Sequence, residues 1–144
     1  MEYANFNGVY YLRFDKGDRL ISGIMDVCKN EKIMSCVFSG IGGCSTAEIQ
    51  TFMPERGEFE SEILEGSLEM ISINGNIISD KEKLYHHAHA LFSGKKDGNA
   101  FVSAGHLKET TVLYTAEIEL RPVTGGTIGR TYNPETGTGI WKLS

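Results

Sequence analysis

The chain has 144 residues, 40% of them hydrophobic and 23% charged, with a formal net charge of −5 at pH 7. That length makes one domain, long enough to bury roughly two-thirds of its unfolded surface, and no apolar run approaches the ~20 residues that cross a bilayer as a helix. Nine lysines and five arginines are scattered without forming a basic tract, which argues against a chain that grips a phosphate backbone by itself.

The opening stretch Met1-Glu2-Tyr3-Ala4-Asn5-Phe6-Asn7 has neither a basic start nor an apolar core, so it does not read as a signal peptide and a cytoplasmic protein is expected. In that setting Cys28, Cys36 and Cys44, odd in number and without a Cys-x-x-Cys pair, read as reduced, buried thiols. Seventeen glycines against three prolines point to many turns between short strands.

Residues 8–14 predict a first strand, rich in aromatic and β-branched types. Asp15 or Asp18 could then cap a helix over about residues 18–30, in which Leu20, Ile21, Ile24, Met25 and Cys28 form an apolar stripe and Asn30 is the stop. Residues 33–39 show little alternation and predict a strand buried on both faces. The following Gly40-Ile41-Gly42-Gly43 invites a dinucleotide-binding loop. However, position 45 is serine and residues 47–52 alternate like a strand, so a turn between strands is expected.

After a turn at Pro54-Glu55-Arg56-Gly57, residues 59–64 predict a half-exposed strand with an acidic face, and residues 66–77 another. In the second of these, Glu69 shares its face with Ile71 and Ile73, a setting that demands a partner, a cation or a raised pKa, and that a hydrogen-bonded structural glutamate fits equally well. Residues 110–120 predict a long strand ending near Pro122. The remaining segment, 124–144, reads as an extension of a domain spanning 1–123, with Trp141 expected to dock on this chain or a neighbour. About eight strands and one early helix make an α+β domain with a mainly antiparallel sheet.

All four histidines lie between Tyr85 and Leu107. Alternation along a strand sends His87 and His89 one way and His86 the other. Asp97-Gly98 favours a two-residue hairpin turn, and cross-strand partners then have numbers summing to 195, which sets His89 opposite His106. His87 is the diagonal neighbour. A turn centred one residue earlier sets His87 opposite His106 instead, and the same three imidazoles converge in both registers. Three imidazoles on one face match the three protein ligands of an open zinc site; iron, nickel, manganese and copper also accept histidine, and an exposed polar face or a subunit contact would use the same pattern.

The order Gly40-Ile41-Gly42, Leu68-Glu69-Met70-Ile71-Ser72-Ile73-Asn74-Gly75, His87-Ala88-His89, Asp97-Gly98 and Gly105-His106-Leu107 resembles the plants and prokaryotes conserved (PPC) domain family over about residues 8–122. Ala104 stands where that family usually has glycine. The resemblance implies a compact α+β homotrimer, a divalent metal (zinc first) on His87, His89 and His106, and a functional glutamate at Glu69. The architecture is also similar to that of acetolactate decarboxylase. In plants the domain is fused to AT-hook segments that enter the minor groove; this chain offers only Leu120-Arg121-Pro122, so a DNA-associated regulatory role through DNA or protein partners is what the family implies here. Two other readings stay open. One is a metal-dependent lyase or hydrolase on a small acidic or carbonyl compound, with Glu69 as acid, base or water-positioner. The other is a non-enzymatic interaction module.

Overall fold

The computed structural model describes residues 1–81 and 83–143. In chain order the elements are β1 (Glu2–Phe6), β2 (Val9–Asp15), α1 (Leu20–Asn30), β3 (Cys36–Met53), β4 (Glu58–Asp80), β5 (Lys83–Lys96), β6 (Asn99–Pro122), β7 (Gly129–Asn133) and β8 (Thr138–Lys142). The first six strands form one antiparallel sheet in the order β1-β2-β6-β3-β4-β5, and β5 also pairs with β6, so the last four close into a ring. Strands β7 and β8 form a separate hairpin. Among the described residues no helix is long and apolar enough to cross a membrane.

Helix α1 buries Leu20, Ile21, Ile24, Val27 and Cys28. Eleven residues are too few for a stable helix in water, so burial of this stripe, at roughly 1.5–3 kcal/mol for each large side chain, must hold it. Neither Asp15 nor Asp18 caps it. Asp18 instead accepts the Asp15 backbone N–H and pairs with the chain's terminal amine at 2.8 Å. The free N–H groups of the first turn are met from β6: the Glu109 carboxylate accepts Ile21 N–H at 2.8 Å, Ser22 N–H at 3.1 Å and the Ser22 hydroxyl at 2.6 Å. A carboxylate there also complements the positive end of the helix dipole. The helix stops where Lys32 adopts a left-handed φ of 56°, and Ile33 N–H returns to the Cys28 carbonyl.

The glycine cluster at residues 40–43 is not a turn. It lies inside β3, an 18-residue strand whose pairing shifts register between Gly40 and Gly42. Its glycines answer to a close approach by β6: a Cβ on Gly40 would collide with the Glu117 carbonyl oxygen, and one on Gly42 would stand 2.5 Å from the Ala116 methyl. Further shifts at Cys44/Thr46 and at Met70/Ser72 bend strands far longer than the usual five or six residues. Nor is the start of β3 buried on both faces, since Cys36 and Phe38 face the core while Val37 is 42% exposed.

All three cysteines are buried and reduced. Cys28 and Cys36 lie 3.7 Å apart, sulfur to sulfur, and that hydrogen bond, with burial, holds the Cys28 thiol protonated; burial also pushes the Cys44 thiol up.

Candidate metal centre

Lys96 and Asn99 close the β5–β6 hairpin around Asp97-Gly98, whose φ angles of 51° and 79° are those of a two-residue turn with both central residues left-handed. Partners along this hairpin sum to 195, and His89 stands opposite His106. The core-facing neighbours Ala88, Ala90 and Phe92 are buried, so the alternate positions His87 and His89 are held on the outer face. His106 sits at the junction where β6 leaves β5 for β3, pairing with both His89 and Gln50.

The three imidazoles converge. Ring centroids are 4.2 Å apart for His89 and His106, 5.0 Å for His87 and His106, and 5.3 Å for His87 and His89. One nitrogen from each lies within 4.8 Å of the other two, close enough for side-chain rotation to bring all three onto one ion. Phe59 meets His106 edge to face at 5.0 Å and is itself backed by Phe52, which fences one side of the cluster with apolar rings. Burial, and then the neighbouring imidazoles, lower the pKa of His87 and His106. Both are therefore held toward the neutral form, the one that offers a lone pair to a metal. The donor set, three imidazole nitrogens with no thiolate, is one that zinc and other divalent ions accept.

His86 takes the opposite face, half-buried, where desolvation lowers its pKa. Glu69 is exposed and stands apart from the three histidines. Its partner in β5 is Ser93, four residues beyond His89, which puts the carboxylate's strand position roughly 13 Å from the cluster. The bulge between Met70 and Ser72 also breaks the expected face: Glu69 and Ile71 point outward, and Ile73 is buried. Glu69 instead borders a shallow cavity of about 400 Å³ with Ile41, Ile71, Tyr114 and Glu117.

A larger cavity, about 550 Å³, opens against His87 and His89. Its other walls include Asn74, Asn76, Arg121 and Trp141, of which sequence reasoning singles out only Trp141, as a docking anchor. Trp141, from the β7–β8 hairpin, donates its indole N–H to the Asn76 side-chain oxygen at 3.3 Å. Arg130 from the same hairpin lies over the Tyr85 ring at 4.7 Å, so the extension docks on this chain.

The family model described as the Plants and Prokaryotes Conserved (PCC) domain matches residues 1–124. Solved structures match over almost the whole chain. A PPC protein of Pyrococcus horikoshii is 31% identical, covers 99% of this chain and 94% of its own, and superposes with a TM-score of 0.81. A metal-containing protein of Archaeoglobus fulgidus is 27% identical over 99% of this chain and 96% of its own, with a TM-score of 0.83. A protein of Bacteroides thetaiotaomicron described as a "putative DNA binding protein" is 26% identical over 98% and 96%, with a TM-score of 0.87. The chain matches no curated protein.

Proposed function

The chain belongs to the Plants and Prokaryotes Conserved domain family, and on that premise we propose that His87, His89 and His106 hold one divalent metal ion, zinc first, in a cytoplasmic homotrimer with a DNA-associated role exercised through partners. One observation carries the metal reading: three histidine nitrogens, from two strands of a rigid hairpin, lie within 4.8 Å of one another. The metal-containing A. fulgidus relative supports it. When bound there, a divalent ion supplies a Lewis acid at its open coordination position. The residues of the chain hold it, keep His87 and His106 toward the neutral form and fence it with Phe59.

The trimer reading is supported by apolar side chains left exposed around one shallow cavity, Ile41 at 56%, Ile71 at 51% and Tyr114 at 64%, a surface that a second copy could cover. The partner-dependent DNA role is supported by the B. thetaiotaomicron relative's description together with the net charge of −5. Sedimentation of the pure protein is expected to give three chains per particle. In a gel-shift titration at low salt the same material should leave a DNA probe unshifted. A shift that disappears steeply as salt is added would mean that the chain binds phosphates directly and would overturn the partner requirement.

A second reading, a metal-dependent lyase or hydrolase of a small acidic or carbonyl compound, is favoured by the cavity of about 550 Å³ beside His87 and His89. Glu69 as its acid or base must then come from a neighbouring subunit, because its own chain holds it about 13 Å from the cluster.

A further inference from the structure

The cavity beside the histidines is floored by two rows of register partners that cross four strands. Arg121 of β6 pairs with Val37 of β3, Val37 with Asn76 of β4, and Asn76 with His87 of β5. Glu119, Ser39, Asn74 and His89 form the second row in the same way. The row between them, Leu120, Phe38, Gly75 and Ala88, turns inward: Leu120, Phe38 and Ala88 are buried, and Gly75 has no side chain because the Phe38 ring fills that space. Both outer rows consequently present their side chains on one face. Three steps of about 4.8 Å separate the histidine end from the arginine end, about 14 Å along the backbone.

The contents of this trough specify a ligand. At one end is the proposed metal, and at the other the Arg121 guanidinium, which pairs through Nε with Glu119. Its terminal nitrogens form the fork that carboxylates meet in two parallel bonds. Between them stand two carboxamides, Asn74 and Asn76, and two apolar surfaces, the Val37 side chain and the Trp141 indole. Arg121 and Glu119 cancel in charge, so a divalent ion on neutral imidazoles leaves the trough with two net positive charges on a chain whose net charge is −5.

Resting on the metal reading above, we infer that this trough binds a short-chain dicarboxylic acid. One carboxylate oxygen takes the open metal position, the second carboxylate meets Arg121, and the carbon chain lies along Val37 beneath Trp141. The Asn74 and Asn76 amides fix its orientation by hydrogen bonds, and the β7–β8 hairpin, which delivers Trp141, is the wall that closes over it.

Trp141 is the single tryptophan of the chain, so its emission reports the trough directly. The experiment titrates glutarate and, separately, butyrate into the full-length protein after its metal content has been counted. The same titrations are run on chelator-stripped protein and on Arg121→Gln. Glutarate is expected to change Trp141 emission saturably in the metal-loaded protein and to bind at least about tenfold tighter than butyrate, a difference set by the second charge-assisted contact. Arg121→Gln should keep its metal and lose that tenfold preference, and stripping should abolish the response. A protein holding one metal per chain that gives no response to glutarate, or that binds it equally well after Arg121→Gln or without metal, overturns the dicarboxylate assignment and leaves the metal reading standing. A protein that takes up no metal overturns both.

Discussion

His89→Ala is expected to remove bound metal completely while leaving the fold unchanged. His89 faces His106 directly across the hairpin, with ring centroids 4.2 Å apart, and its loss leaves two nitrogens where an ion needs at least three protein ligands to stay through dialysis. The same side chain is exposed and makes no buried contact, so its truncation should change stability by no more than about 0.5 kcal/mol. His86→Ala is the matched control, one strand position from His87 on the opposite face, and should retain full occupancy. Elemental analysis of both variants, with melting curves alongside, checks the pair. Full metal occupancy in His89→Ala would show that the ion sits elsewhere.

Gly40→Val should prevent the domain from folding at ordinary temperature, or cost roughly 3–5 kcal/mol if it folds. Gly40 is paired on both sides, with Ile73 of β4 and Ile118 of β6, so its strand has no free edge to move toward. A Cβ there would collide with backbone at the Glu117 carbonyl oxygen, and would stand 2.5 Å from the Ile118 side chain. Relief requires β3 and β6 to part, and with them the register that carries Val37 to Arg121 and Ser39 to Glu119. Gly126→Ala is the contrast: no atom lies within 4 Å of its added methyl, and its melting temperature should match the parent's within about a degree or two. Equal stability of the two variants would remove close approach as the reason for glycine at position 40.

These two substitutions also mark where the fold was legible and where it was not. The histidine cluster depends on a short hairpin, and everything that sets its register is local: strand alternation, and an Asp-Gly pair able to adopt positive φ. Helix α1 was legible for the same reason, its stripe being read within eleven residues. Strand continuity was not. Glycines that look like turn residues in the sequence are instead places where another strand presses close, as at Gly40 and Gly42, or where a positive φ is absorbed within a strand, as at Gly66. Two predicted strands therefore merge into β3 and two into β4.

Bulges changed the face that a residue occupies, which is why Glu69 lies outward while Ile73 is buried; its distance from the histidines follows from its pairing with Ser93. Asn74, Asn76 and Arg121 escaped notice for a further reason. Asn74 and Asn76 face His89 and His87 directly across the β4–β5 pairing, whose register a bulge shifts. Arg121 joins them only because β3 pairs with β4 on one side and β6 on the other, a long-range register that leaves no trace in local patterning. Trp141 was singled out as an anchor, and its partner proves to be Asn76 on the rim of the same cavity. Glu109, which satisfies the first turn of α1 from 88 residues away in sequence, lay beyond local reading as well.

The most direct test is elemental analysis of the chain purified without an affinity tag and dialysed exhaustively against metal-free buffer, with metal and protein counted in the same sample. One zinc or other divalent ion per chain, reduced to none by His89→Ala, is the expected result. No bound metal in the parent protein, even after incubation with zinc before dialysis, would contradict a metal centre on His87, His89 and His106.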